Sequence, residues 1–179
     1  MGLERLIKEH FVDAAANIVL SMPTFAALEY LVLRWDMHKS INSRTLSACI
    51  CLAGFGYLNA KGRDIYRKLL RITDTTEERV QKIQDKAYQF GFGMMVNPIF
   101  YYIAGQRDAK ELLIGSLTNA VVSLYLGDKV GLVIDCARDI YGLKPTHRMP
   151  KIVRNNEPLA VAGSAIVSGL LTYAVYAVR

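Results

Sequence analysis

The sequence predicts an all-α integral membrane protein of two tandem transmembrane helical hairpins followed by a fifth transmembrane helix. Three observations predict this fold: apolar stretches of membrane-spanning length, a bias of basic residues between loops, and an internal repeat. Of the 179 residues, 52% are hydrophobic and 21% are charged, with a net charge of +6. Because the charges fall mainly between the apolar stretches, a soluble all-α bundle is the weaker alternative.

Five apolar stretches run along the chain, at 11–33, 45–60, 87–105, 111–134 and 159–178. A helix needs roughly 17–25 mostly apolar residues to cross a bilayer, so four of the stretches qualify and the second is short. All are rich in small residues, which suit close helix packing in lipid. A bilayer is therefore the first expected partner.

The basic residues between the stretches predict the orientation. With five crossings and the N-terminus in the cytoplasm, fifteen Lys and Arg lie inside and six lie outside. This bias predicts a multi-pass membrane protein with its N-terminus cytoplasmic and its C-terminus outside. It also accounts for the positive net charge. No basic face interleaved with aromatic residues stands out, so nucleic acid is not an expected partner.

An internal repeat divides the chain. Arg63-Asp64-Ile65-Tyr66 recurs as residues 138–141, at an offset of 75 that also relates Pro23 to Pro98 and Gly56 to Gly131. Coincidence is the alternative, but one shared offset favours a tandem duplication. We expect a four-helix core over 1–157, with parallel units of about 1–75 and 76–157, and an additional helix over 158–179.

The two prolines related by the repeat lie near the middle of their spans. A proline inside a helix removes one hydrogen-bond donor and releases a carbonyl. Interrupted helices at matching repeat positions indicate a transport site near the midplane, although both prolines could simply bend helices for packing. With nearby polar residues they give the candidate substrate-binding set: Ser21, Pro23, Asn97, Pro98, Tyr101, Asn119 and Ser123.

The fourth stretch carries small and polar residues at every fourth position from Gly115 to Asp135. Gly127 and Gly131 are separated by one such step and predict a helix-packing contact, within one chain or between copies of a homo-oligomer. Charged residues within membrane spans are functional candidates by default. The candidates for coupling are Asp13, Glu29, Asp128 and Asp135, although an ion pair of Asp128 or Lys129 with Asp13 or Arg63 is an equal possibility.

The fourth stretch also carries a resemblance. Asn119-x-Val121-Val122-Ser123-x3-Gly127-x3-Gly131-x3-Asp135-x2-Arg138 resembles the last helix of the bacterial L-alanine exporter family. Further family-like positions are Asp13, Glu29, Ser40, Ser43, Arg44, Arg63, Asp64, Asp85, Tyr88, Pro98 and Gly105. The sequence departs from the family pattern by the charges of Asp128 and Lys129, and by the fifth apolar stretch.

The resemblance implies a small inner-membrane exporter that lowers cytoplasmic L-alanine, driven by the proton-motive force. A small neutral amino acid is then the expected substrate. The rival interpretations are a passive channel for small solutes or ions, and a structural or lipid-interacting membrane protein. We expect no enzyme activity, because neither a phosphate loop nor a nucleophile elbow occurs. The three cysteines and three histidines are dispersed, so no metal site and no cofactor are expected.

Overall fold

The computed structural model describes residues 2–178, and these residues are built from helices without a strand. The helices are α1 (Leu3–Ala27), α2 (Met37–Ile50), α3 (Gly56–Leu69), α4 (Glu78–Ile103), α5 (Ala109–Ile140), α6 (Lys151–Arg154) and α7 (Glu157–Ala177). The predicted all-α class is confirmed. Between α5 and α7, the segment 144–158 contains the single turn of α6.

Two helices begin at an aspartate that caps their first turn. Asp36 accepts hydrogen bonds from the backbone amides of His38 at 2.9 Å and Lys39 at 3.3 Å. Asp108 accepts them from Lys110 at 2.8 Å and Glu111 at 3.2 Å. Such caps satisfy amides that the first turn leaves free. The first of these caps makes the turn between the first two helices short, because α2 already begins at Met37.

The second apolar stretch is not one helix. A π-helical turn at Cys51–Phe55 divides it between α2 and α3, and Gly54 within that turn has a φ of 131°. Such a φ is accessible to glycine because glycine has no Cβ. A second π-helical turn, Leu28–Val32, ends α1. By contrast, α1 continues through Pro23 and α4 through Pro98, so the expectation that helices restart at the prolines is wrong.

Glycines set the closest helix contacts of the bundle. A Cβ on Gly127 of α5 would lie 2.6 Å from the Cα of Lys86 on α4. A Cβ on Gly56, at the start of α3, would lie 2.6 Å from the Cα of Ala14 on α1. Real Cβ atoms do not approach backbone this closely, so both crossings depend on glycine. These contacts join elements of the same chain.

The last helix, α7, lies against α1 and is mostly exposed. Ser168 is its one buried residue, and near its end the ring of Tyr176 lies 5.3 Å from that of Tyr30. Two helical segments of the described chain are long and apolar enough to cross a bilayer: Leu3–Val32, with a mean hydropathy of 1.5, and Glu157–Ala177, with 1.7. The count of five crossings stays a prediction.

Candidate functional site

A cavity of about 110 Å³ lies inside the bundle, walled by α1, α2, α3, α4, α5 and the π-helical turn at Cys51–Phe55. Both predicted repeat units contribute to it. Its polar lining residues are Asn17, Ser21, Arg44, Ser47, Asn59, Gln89, Asn97, Tyr101, Asn119 and Ser123. The remaining lining is mostly Leu, Val and Phe. The cavity therefore offers dispersed hydrogen-bonding groups in apolar surroundings, as small-molecule sites do.

The structure brings together five of the seven predicted substrate residues. Ser21, Asn97, Tyr101, Asn119 and Ser123 all line the cavity. The lining does not include the two prolines. Successive helical residues are about 100° apart, so a proline one or two positions from a lining residue faces elsewhere.

Two lining asparagines have a buried polar atom without a hydrogen-bond partner. These atoms are Nδ2 of Asn97, a donor, and Oδ1 of Asn119, an acceptor. Nδ2 of Asn119 is satisfied, because it donates to the hydroxyl of Tyr101 at 3.1 Å. A buried polar atom left unpaired costs about 1–3 kcal/mol, so each is a favourable position for a ligand atom.

Gly93 keeps space open between these groups. A Cβ at this position would lie 3.1 Å from Nδ2 of Asn97 and 3.4 Å from Oγ of Ser123. Both contacts are close for carbon, so a larger residue would press on both polar groups. Gly93 was not among the predicted site residues, and its place between two polar side chains became visible only when α4 and α5 were packed together.

Three further amides form one wall of the cavity. Asn59 donates to Oδ1 of Asn17 at 2.8 Å, and Gln89 donates to Oδ1 of Asn59 at 3.4 Å. Asn17 in turn donates to the backbone carbonyl of Asp13 at 2.7 Å. The prediction missed Asn59 and Gln89. Their position inside apolar stretches was the available signal, because a buried amide in lipid requires a partner.

Glu29 forms a buried cluster at the end of the cavity opposite the N-terminus. It accepts from Arg44 at 3.0 Å and 2.5 Å, from Ser40 at 3.1 Å and from Ser43 at 3.1 Å. Tyr176 of α7 lies 2.9 Å from the Ser40 hydroxyl. Glu29 is fully buried, and Arg44 also lines the cavity. We call this group the Glu29 cluster. Its arginine is a cation that the predicted substrate set did not contain.

A larger group of charges lies at the N-terminal end of α1, and we call it the Asp–Arg cluster. Its members are Asp13, Asp64, Asp85, Asp135, Arg63, Arg67, Arg138 and Arg148. Arg138 bonds Asp13 through two nitrogens at 2.7 Å each and bonds Asp64 at 2.7 Å. Such forked pairing orients both partners strongly.

The same cluster fixes the predicted coupling residue Asp135. Its carboxylate accepts from Arg63, from Arg67 at 3.3 Å and from Arg148 at 2.8 Å. Arg67 also bonds both oxygens of Asp85 at 3.0 Å. Asp13 and Asp135 are thus both held by arginines, in a place where an unpaired carboxylate would be costly.

Arg148 enters this cluster from the loop between α5 and α6. Its Nη1 lies 2.8 Å from Asp85 and 2.8 Å from Asp135. Burial by itself would lower the pKa of Arg148, but Asp85 and Asp135 together raise that pKa above its ordinary value. The guanidinium therefore stays charged and closes the cluster on its loop side.

The remaining predicted residues lie where α4 and α5 cross. Asp128 is 3.9 Å from Lys86 and 3.6 Å from Lys129. The ion pairs considered from the sequence, of Asp128 or Lys129 with Asp13 or Arg63, do not form among the described residues. Gly127 faces the backbone of α4, and Gly131 faces the carboxylate of Asp85. The main-chain carbonyl of Gly131 accepts from Arg63 at 2.6 Å.

Comparison with known proteins gives the family. The family model described as L-alanine exporter matches residues 3–144. The chain belongs to the L-alanine exporter family. The resemblance stated from the sequence is thus confirmed, and with it a membrane protein of amino-acid transport. No curated protein and no solved structure matches the chain. The L-alanine exporter model ends shortly after α5, so α6 and α7 lie beyond the matched residues.

Proposed function

We propose that this protein is a secondary transporter that exports L-alanine, a small neutral amino acid, from the cytoplasm, driven by the proton-motive force. The observation that carries this proposal is the cavity with an unpartnered donor on Asn97 and an unpartnered acceptor on Asn119. Membership of the L-alanine exporter family supplies the substrate class.

The chemistry of the cavity suits a zwitterion. The substrate carboxylate needs donors, and Asn97 and the guanidinium of Arg44 supply them. The substrate ammonium needs acceptors, and Oδ1 of Asn119 and the hydroxyls of Ser21 and Ser123 supply them. Hydrogen bonds to charged groups contribute about 1.5–3 kcal/mol each, so a few of them support specific binding.

The size of the cavity favours a small side chain. An apolar cavity of about 150 Å³ is known to hold benzene, which has as many non-hydrogen atoms as alanine. The cavity of about 110 Å³ has room for an alanine methyl group but not for a long branched chain. Gly93 keeps that room, because a Cβ there would already approach Asn97 and Ser123.

For coupling we propose Glu29 as the carboxylate nearest to the substrate. Its side chain bonds Arg44, which lines the cavity, so its charge acts on the donor to the substrate carboxylate. Asp13 and Asp135 belong to the Asp–Arg cluster, on the cytoplasmic side in the predicted orientation. We assign them to opening and closing of that side, with Asp128 beside them. Buried ion pairs are suited to such two-state changes, because each arrangement needs all partners satisfied.

The proposed topology keeps two parallel hairpin units and five crossings. The helix bounds support it: the offset of 75 maps Leu3–Ala27 onto 78–102, and α4 is Glu78–Ile103. Gly56 and Gly131, equivalent under the offset, both face the first helix of their own unit. In this arrangement the substrate cavity lies between the two units, as in other transporters built from repeats.

Counterflow in proteoliposomes tests the function. Vesicles preloaded with unlabelled L-alanine should take up external labelled L-alanine faster than empty vesicles, and preloading with L-leucine should not have this effect. An imposed pH gradient should then drive net movement against the alanine gradient. Equal uptake into loaded and empty vesicles would indicate a channel, and no uptake in either would favour a structural role.

A further inference from the structure

A second cavity, of about 690 Å³, opens on the outside of the bundle between α1, α5 and α7. Its walls are almost entirely apolar, and Phe11, Val12, Val133 and Val161 are typical of them. It is separate from the substrate cavity, and no residue lines both. We call it the α7 groove.

The α7 groove has the depth of one membrane leaflet. On α1 it extends from Lys8 to Val19, a distance of eleven helical steps or about 16.5 Å at 1.5 Å per step. The hydrocarbon core of a bilayer is about 30 Å thick, so this is half of it. On α7 the lining ends at Ala165, and further along that helix Ser168 is buried and Tyr176 contacts Tyr30. Because α7 contacts the bundle along its C-terminal half, the groove is too short to hold a second membrane-spanning helix.

The open end of the α7 groove is basic. Lys8 lines it, and Lys151 stands between Pro150 and Val153, which both line it. Within residues 2–178 neither lysine forms an ion pair. The carboxylates near these lysines in the sequence are Glu4 and Glu9 on α1 and Glu157 in the first turn of α7, and Glu9 pairs with Lys61. Two unpaired ammonium groups above an apolar groove complement an anionic head group joined to an acyl chain.

We propose that the α7 groove binds one anionic phospholipid, taken from the leaflet at the N-terminal end of α1. One acyl chain occupies the groove, and the phosphate lies between Lys8 and Lys151. The site depends on α6 and α7, which follow the residues matched by the family model. It does not depend on which substrate the central cavity carries. The bound lipid fills the space between α1, α5 and α7 along the groove.

Lipid retention tests this site. The protein would be reconstituted with equal amounts of phosphatidylglycerol and phosphatidylcholine, extracted in mild detergent, and its bound lipid counted by native mass spectrometry. We expect one retained phosphatidylglycerol per chain. Lys8→Gln combined with Lys151→Gln should lower the ratio of phosphatidylglycerol to phosphatidylcholine by roughly twenty-five-fold, since each surface lysine contributes about one factor of five.

Two controls separate this site from a general charge effect. Lys110→Gln removes the same charge at the far end of the bundle, and it should leave the ratio unchanged. Ala165→Phe fills the groove, and it should remove both lipids; a thermal melt shows whether that variant is folded. Wild-type retention in the double lysine variant, or an equal loss in Lys110→Gln, would overturn the proposal. A mass spectrum that shows a dimer without bound lipid would also overturn the proposal, because the groove would then be covered by a second copy of the protein.

Discussion

At the scale of single residues, the buried polar atoms that lack partners carry the most information. Asn97 and Asn119 each leave one such atom in the substrate cavity. A buried amide without a hydrogen-bond partner destabilises the protein, and in the proposed site the substrate would supply the missing partner. Tyr101 orients Asn119 by accepting from its Nδ2, so the free Oδ1 has a defined direction.

The first prediction concerns these two asparagines. Asn97→Ala and Asn119→Ala should each weaken the apparent affinity for L-alanine by about one to two orders of magnitude, because each removes a hydrogen bond to a charged group. Counterflow at matched protein levels measures the effect. Thr118→Val is the matched control, since Thr118 does not line the cavity and its hydroxyl donates to the carbonyl of Ile114. Wild-type affinity in both asparagine variants would remove them from the site.

The second prediction concerns the ion pair of Glu29 and Arg44. Arg44→Leu alone leaves a buried carboxylate without its main partner and should lower the free energy of unfolding by about 3–5 kcal/mol. Adding Glu29→Gln should recover much of that loss, because it removes the unpaired buried charge, and the amide oxygen can accept from one of Ser40 and Ser43 while the amide NH2 donates to the other. Thermal melts in detergent of both single variants and the double variant give the coupling energy between Glu29 and Arg44. Additive losses would contradict a direct pair.

At the scale of helices, the sequence predicted what periodicity and composition determine. It located α1, α4, α5 and α7 through their apolar stretches, and it placed Gly127 and Gly131 on a packing face. It missed the division of residues 45–60 by a π-helical turn, because the local apolar pattern there continues across Gly54. It also overestimated the effect of Pro23 and Pro98 on their helices, since α1 and α4 both continue through the proline.

The third prediction concerns the crossing of α4 and α5. Gly127→Ala should lower the free energy of unfolding by about 1–3 kcal/mol, because its Cβ would meet the backbone of Lys86 at 2.6 Å. Gly91→Ala on α4 is the control: nothing lies within 4 Å of its Cβ, and alanine is the better helix former. Equal melting temperatures for the two variants would show that α4 and α5 do not cross at Gly127.

At the scale of the whole molecule, the proposed substrate cavity lies between two charged groups, the Glu29 cluster and the Asp–Arg cluster. Five of the ten polar cavity residues were predicted from the sequence, because polar residues inside apolar stretches are few. The ion-pair partners were not, since Arg138 and Asp13 are 125 positions apart and only the packed helices bring them together. The pairing of Arg148 with Asp85 and Asp135 could not be predicted either, because Arg148 reaches the cluster from a loop.

The fourth prediction concerns the orientation in the membrane. A reporter fused after Thr75, in the turn between α3 and α4, should indicate the cytoplasm, and one fused to the C-terminus should indicate the exterior. The excess of Lys and Arg on one side is the physical reason. A cytoplasmic C-terminus would mean that α7 does not cross, or that the chain is inverted.

The most direct test of the substrate site uses cysteines that the protein already has. Cys51 lines the substrate cavity, and Cys136 lines the α7 groove. With Cys49 replaced by serine, L-alanine should slow the modification of Cys51 by methyl methanethiosulfonate in a saturable way, and the modification of Cys136 should not change. If L-alanine protects neither cysteine, or protects both equally, the cavity between the two units is not the alanine site.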